Sequence, residues 1–233
     1  MISALKRMNR WRMKRFPLTD FERAFASVEP HALMGLRALA RLYSGTREVV
    51  REGIEGDIVE CGVARGGSAG LLARALRDAG SDKRMWLYDN FEGMPEPDPK
   101  RDPDYEAARK YVGACKGDEV QVRELVTGLR GPGEIQIVKG LFQDTLPFRA
   151  PQRVALLHLD CDWYQSVRFC LDTLYDRMEP GGILQLDDYH FWEGCRKAVD
   201  EFFLNRKIEP RLVTIDASSV WMRIPAAHSS SAK

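Results

Sequence analysis

The chain has 233 residues, with 35 Lys and Arg against 34 Asp and Glu, a formal net charge of +1. That balance excludes a globally basic nucleic-acid binder or membrane-surface protein, and the length suits one domain with a sizeable core. Five cysteines (Cys61, Cys115, Cys161, Cys170 and Cys195) form no C-x-x-C pair, which predicts reduced, mostly buried thiols in a cytoplasmic protein. No run approaches the roughly 18 apolar residues of a membrane span, and no uninterrupted apolar leader is present, so neither a span nor a signal peptide is expected.

Residues 1–16 carry Lys6, Arg7, Arg10, Arg12, Lys14 and Arg15 with no acid, while Ile2, Leu5, Met8 and Trp11 recur every third position. This reads as the core of a basic N-terminal arm over residues 1–29, solvated or packed on a neighbouring subunit, and a homo-oligomer is the expected assembly. Leu33, Leu36, Leu39, Ala40 and Tyr43 predict a helix over residues 30–52.

Residues 56–76, GDIVECGVARGGSAGLLARAL, organise the rest. A buried strand over 57–61 leads into a glycine turn, and Ser68 is expected to cap a helix whose Leu71, Leu72, Ala75 and Leu76 face inward. Such a turn lets backbone approach a ligand with free N–H groups. Glu60 at the strand end would repel a pyrophosphate, and the glycine spacing misses G-x-G-x-x-G, so a dinucleotide is disfavoured. S-adenosylmethionine, with its ammonium, sulfonium and ribose, suits this turn and its acid better.

Residues 85–88 predict a second strand that delivers Asp89, an acid positioned for ribose hydroxyls. The four-proline stretch 92–104 is excluded from helix and central strand, and is read as a surface lid. Helices are expected over 105–115 and 120–129, and a third strand over 135–138. The turn 140–144, which holds Gln143, suits either an adenine edge or an ordinary strand exit. A continuous apolar strand over 154–159 ends in Asp160-Cys161-Asp162-Trp163-Tyr164. A helix to residue 178, the breaker Pro180-Gly181-Gly182 and a strand over 183–186 then deliver Asp187, Asp188 and His190. A helix over 193–204 and a closing hairpin (212–215 and 220–224) follow, and 226–233 reads as a disordered tail. Alternating strands and helices imply an α/β, doubly wound, mainly parallel sheet.

Asp160 and Asp187 end consecutive parallel strands, which right-handed crossover makes neighbours, and ligands bind beyond such carboxyl ends. With Asp188 they form a carboxylate cluster of hard oxygen donors, which favours Mg²⁺ or Mn²⁺ over zinc. The competing role of the same acids is to cap helices and hold turns. Asp162 and His190 are candidate bases, and Trp163 and Tyr164 candidate walls for an acceptor.

GDIVECGVARGGSA, LYDNFEGMPEP, KGLFQDTLP, LLHLDCDWYQS and PGGILQLDDYH, in that order, resemble the macrocin O-methyltransferase (TylF-type) family over nearly the whole chain. The resemblance implies a Rossmann-like class I methyltransferase with a seven-stranded sheet, its domain spanning 30–225. It implies use of S-adenosylmethionine and Mg²⁺ to methylate a hydroxyl, notably of a deoxysugar on a macrolide-like natural product. Glu60, Gly62 and Ser68 would then lie at the cofactor's methionine and turn region, and Asp89 at its ribose. Asp160, Asp187 and Asp188 match the metal-ligand positions. Some related metal-dependent enzymes carry a Lys or His base three residues after the first ligand; Trp163 stands there here, so Asp160 or Asp162 is the substitute. A nicotinamide oxidoreductase would share the fold but lacks its glycine fingerprint, and a non-catalytic module has no need of the aspartates. Balanced charge disfavours RNA as substrate, leaving a small-molecule hydroxyl acceptor and no nucleic-acid or membrane partner.

Overall fold

The computed structural model describes residues 19–225, so residues 1–18 of the expected basic arm and the tail expected over 226–233 lie outside the described residues. The chain runs α1 (Asp20–Val28), a 3₁₀ turn (Glu29–His31), α2 (Leu36–Arg51), β1 (Asp57–Cys61), α3 (Gly67–Asp78) and β2 (Met85–Asp89). It continues through α4 (Tyr105–Ala108), α5 (Glu119–Leu129), β3 (Ile135–Lys139), α6 (Phe142–Thr145), β4 (Val154–Leu159) and α7 (Tyr164–Leu174). The last elements are β5 (Met178–Leu186), α8 (Glu193–Asn205), β6 (Val213–Thr214) and β7 (Val220–Arg223).

The seven strands form one sheet in the order β3-β2-β1-β4-β5-β7-β6. β3, β2, β1, β4 and β5 are parallel, and β7 joins antiparallel to both β5 and β6. All six β4 residues are buried, as a central parallel strand requires. Side-chain alternation splits the core into two layers. Val59, Cys61, Leu157, Leu159, Leu184 and Leu186 pack against α7 and α8, while Ile58, Leu87, Leu156 and Ile183 pack against α2, α3 and α5. No described helix is long and apolar enough to cross a membrane.

Several expected boundaries shift for identifiable reasons. Asp20–Val28 is a helix rather than arm: Thr19 and Glu22 form a reciprocal capping box, and Ala24 and Val28 are buried against Leu39, Tyr43, Leu71 and Ala75. The helix expected from residue 30 starts at Leu36, because Pro30 sits in the 3₁₀ turn. The helix expected over 105–115 stops early, since Gly113 N–H donates to Met94 O and Met94 N–H to Ala114 O, closing the preceding loop instead. Pro180-Gly181-Gly182 lies within β5 rather than before it. The register slips there, from Val154 opposite Met178 to Leu156 opposite Ile183, and the resulting bulge accommodates residues a regular ladder would reject.

Thr19→Ala tests whether α1 belongs to the cooperative unit. Loss of this cap should cost about 1 kcal/mol, lowering the melting temperature by ~2–4 °C. An unchanged melting curve would place α1 outside that unit.

Candidate active site

A cavity of about 500 Å³ opens at the carboxyl edge of the parallel strands. Each strand end contributes: Gly62 and Ala64 after β1, Asp89 from β2, Leu141 to Gln143 after β3, Asp160 to Trp163 after β4, and Asp187 and Asp188 after β5. Leu33 and Met34 before α2, the loop from Gly93 to Asp98, and Gln165 and Ser166 of α7 complete the wall.

The strand ends are laced together by backbone. Gly62 N–H donates to Tyr88 O, Asp160 N–H to Cys61 O, and Asp187 N–H to Leu159 O. Gly62 has φ +92°, and a Cβ there would lie 1.7 Å from Asp160 O, so only glycine allows β1 and β4 to exit this close together. Gly66, in the left-handed region, caps α3. Ser68 is therefore not the cap; it is buried within the first turn and does not line the cavity.

Asp89 reaches the cavity but spends its carboxylate on the glycine turn. Its Oδ2 accepts from Val63 N–H (2.7 Å) and Ala64 N–H (2.8 Å), and its Oδ1 from Phe91 N–H (2.6 Å). The acid thus shapes the turn, and only its remaining lone pairs face a ligand. Glu60 does not face the cavity at all. Alternation along β1 turns it to the α2 side, fully buried, where Oε1 lies 2.9 Å from His158 Nδ1. The structure thus places behind the cavity wall a residue expected from the sequence to contact the cofactor.

Asp160, Asp187 and Asp188 each offer a carboxylate oxygen within 4.8 Å of the others. Asp187 Oδ1 accepts from Ser219 Oγ–H at 2.6 Å, whereas Asp188 Oδ2 is buried without a hydrogen-bond partner. Burial, followed by the charges of neighbouring aspartates, holds Asp160 and Asp188 well above the ordinary carboxylate range. Burial also raises Asp187, against the opposing Ser219 hydrogen bond. No Lys, Arg or His lines the cavity among the described residues. An orphaned buried oxygen within a compact set of hard donors fits a divalent cation such as Mg²⁺ or Mn²⁺.

Asp162, beside this cluster, has φ +58°, a conformation side chains rarely adopt. Trp192 Nε1–H donates to its Oδ1 at 3.1 Å, and burial outweighs that bond to push the acid up to about 7. His190 turns away: its Nε2 lies 3.1 Å from Thr214 Oγ1, and it does not line the cavity. Trp163 lines the cavity, but Tyr164 donates its hydroxyl to Glu201 and packs outside. Gln165, Ser166 and Trp192 were missed by sequence reasoning. The first two had a signal, since the first helical turn after a strand-end acid faces the same crevice; Trp192 had none.

The supposed lid is tied down. Pro95 O accepts from Trp163 Nε1–H at 2.8 Å, and Asp98 Oδ2 from Gln165 Nε2–H at 2.8 Å, so in this structure the loop is a standing wall.

This sheet order, closed by an antiparallel β7 and bearing a cavity at the carboxyl edge, defines a class I methyltransferase. The structure described as the O-methyltransferase NovP superposes with a TM-score of 0.76 at 29% identity, covering 84% of this chain and 83% of that one. The chain matches the macrocin O-methyltransferase (TylF) family over residues 3–224, and it belongs to that family of O-methyltransferases. It is 34% identical, over 84% of its own length and 77% of the relative's, to the 8-demethyl-8-(2,3-dimethoxy-alpha-L-rhamnosyl)-tetracenomycin-C 4'-O-methyltransferase of Streptomyces olivaceus. It is 30% identical, over 83% and 76%, to the demethyldecarbamoylnovobiocin O-methyltransferase of Streptomyces niveus.

Gly62→Ala should destabilise the protein on the order of 4 kcal/mol, since both space and φ are denied to a Cβ. Urea unfolding checks this, and a loss below ~1 kcal/mol would refute the close approach of β1 and β4.

Proposed function

We propose that this enzyme transfers the methyl group of S-adenosylmethionine to a hydroxyl of a sugar borne by an antibiotic-like natural product, assisted by Mg²⁺ or Mn²⁺. The observation that carries the reading is the convergence of Asp160, Asp187 and Asp188 within 4.8 Å in a cavity shared with the Gly62 turn. The names of the two relatives support the acceptor class, one a methyltransferase of a rhamnosyl tetracenomycin and the other of demethyldecarbamoylnovobiocin.

In this reading the methionine end of the cofactor lies against the turn held by Gly62 and Asp89, with Gln143 near its base. Asp160, Asp187 and Asp188 would hold the ion, which when bound acts as a Lewis acid on the acceptor hydroxyl. Asp162 takes the hydroxyl proton as the oxygen–methyl bond forms and the methyl–sulfur bond breaks, leaving neutral S-adenosylhomocysteine. Trp192 fixes the orientation of Asp162, and Trp163, Gln165 and Ser166 form the wall against which the sugar is aligned with the methyl group.

Incubation with S-adenosylmethionine, Mg²⁺ and a panel of rhamnosylated aromatic and macrolide natural products, read by mass spectrometry, should yield a product heavier by one methylene. Fragmentation should assign the new methyl to the sugar. A methyl on the aglycone, or no product from any glycoside, would reject the acceptor class. EDTA should abolish turnover and Mg²⁺ or Mn²⁺ restore it; full activity in EDTA would reject the metal.

Asp188→Asn provides a test without acceptor. Relieving repulsion among buried carboxylates should raise the melting temperature of the metal-free protein by a few degrees, about 1 kcal/mol corresponding to ~2–4 °C. The same change should remove the stabilisation that Mg²⁺ gives the wild type. An unaltered response to Mg²⁺ would take Asp188 out of the ligand set.

A further inference from the structure

We propose that Asp102 is a positioning residue of the acceptor site, locking the proline-rich loop to the first turn of α7 so that the two halves of the acceptor wall act as one rigid piece. The inference rests on the acceptor side of the cavity being assigned as above, and it concerns a side chain outside that cavity.

Asp102 is only 2% exposed, and no cation among the described residues forms an ion pair with it. A carboxylate in that setting is costly unless its oxygens are fully used. Both are. Oδ1 accepts from Tyr164 N–H at 2.8 Å, and Oδ2 accepts from Asp98 N–H at 2.7 Å. Burial raises the acid while these two amides oppose the rise.

The first of those bonds fills a gap in the helix. α7 has Trp163 at its N-cap, and an indole offers no acceptor to the free amides of the first turn. Asp102 caps α7 from another segment of the chain. The second bond closes a ring, because Asp98 in turn accepts from Gln165 Nε2–H. The circuit therefore runs Asp102, Tyr164, Gln165, Asp98 and back. Asp98 and Gln165 both line the cavity, one from each half of the wall.

Packing is built around the same carboxylate. A Cβ on Gly194, in the first turn of α8, would lie 1.9 Å from Asp102 Oδ1, so glycine makes the room. Other ties hold the loop independently: Trp163 Nε1–H to Pro95 O, Lys197 Nζ–H to Arg101 O, and Glu193 N–H to Asp104 Oδ2. Loss of Asp102 should thus loosen the wall without unfolding the domain. Among the described residues, no hydrogen bond joins the ring to the strand ends of the cofactor side, on the β1 to β3 edge.

Two variants test this. Asp102→Asn keeps the size but leaves one acceptor oxygen for two amides, while Gly194→Ala keeps the charge and displaces it sterically. Hydrogen exchange read by mass spectrometry should rise together in peptides covering 94–103 and 164–167, by about tenfold, as expected for loss of a charge-assisted hydrogen bond. Affinity for S-adenosylhomocysteine, by calorimetry, should stay within about twofold, as for an independent site. With the glycoside acceptor that turns over in the panel, KM should rise by about tenfold with kcat changed far less. Faster exchange in the loop alone, or loss of S-adenosylhomocysteine binding in step with melting temperature, would overturn the proposal and leave Asp102 a general structural residue. Should no glycoside turn over, the functional reading fails while the exchange measurement still decides whether Asp102 joins the two walls.

Discussion

The carboxyl edge of β4 and β5 is where charge is crowded against the physical tendency of like charges to separate. Asp160, Asp162, Asp187 and Asp188 are brought together because Asp160 N–H and Asp187 N–H are fixed by the preceding strand ends, which leaves the loops no freedom to splay. The protein supplies few donors in return: Ser219 for Asp187 and Trp192 for Asp162. Asp188 Oδ2 receives none. A buried acidic cluster that stays unbalanced in the protein alone is poised to gain from a cation. Stability given up at this edge is recovered in the two apolar layers beneath it.

The surroundings of the cluster are stiff. Gly62 and its neighbours are wedged between strand ends, Asp89 ties the glycine turn by three N–H groups, and Asp162 is held at positive φ. Strained or fully committed groups at a crevice are a recurrent feature of sites that align reactants rather than adapt to them. The proline-rich loop belongs to the same design. Its prolines restrict the backbone, and its polar groups bond to α7 and α8, so in this structure it stands as part of the wall.

Beneath the site, the register sets Glu60, His158 and Gln185 side by side across β1, β4 and β5, on the face covered by α2. Glu60 bonds His158, and Gln185 Nε2–H reaches Ala38 O at 3.0 Å. This row joins three strands to a helix through the Glu60–His158 and Gln185–Ala38 bonds, while Glu60 Oε2, His158 Nε2 and Gln185 Oε1 are buried without a protein partner. Glu60 thus lies behind the cavity, bonded to His158, rather than within it.

Sequence periodicity, strand-end turns and acids, and the family resemblance were enough to reveal the α/β sheet, its closing hairpin and eight cavity residues: Gly62, Asp89, Gln143, Asp160, Asp162, Trp163, Asp187 and Asp188. These are legible because a strand's end is a local property, and everything delivered there in a parallel sheet shares one edge. Side-chain direction and partnership are not local. Glu60 was misplaced by the strand's two-residue alternation, Ser68 by a glycine that took the cap, and His190 by a turn that aims it at Thr214. Asp102 is one of five acids spread over residues 92–104, and nothing in its neighbours singles it out. Its partner amide on Tyr164 is 62 residues away in the chain, so only the folded packing of loop, α7 and α8 decided what it does.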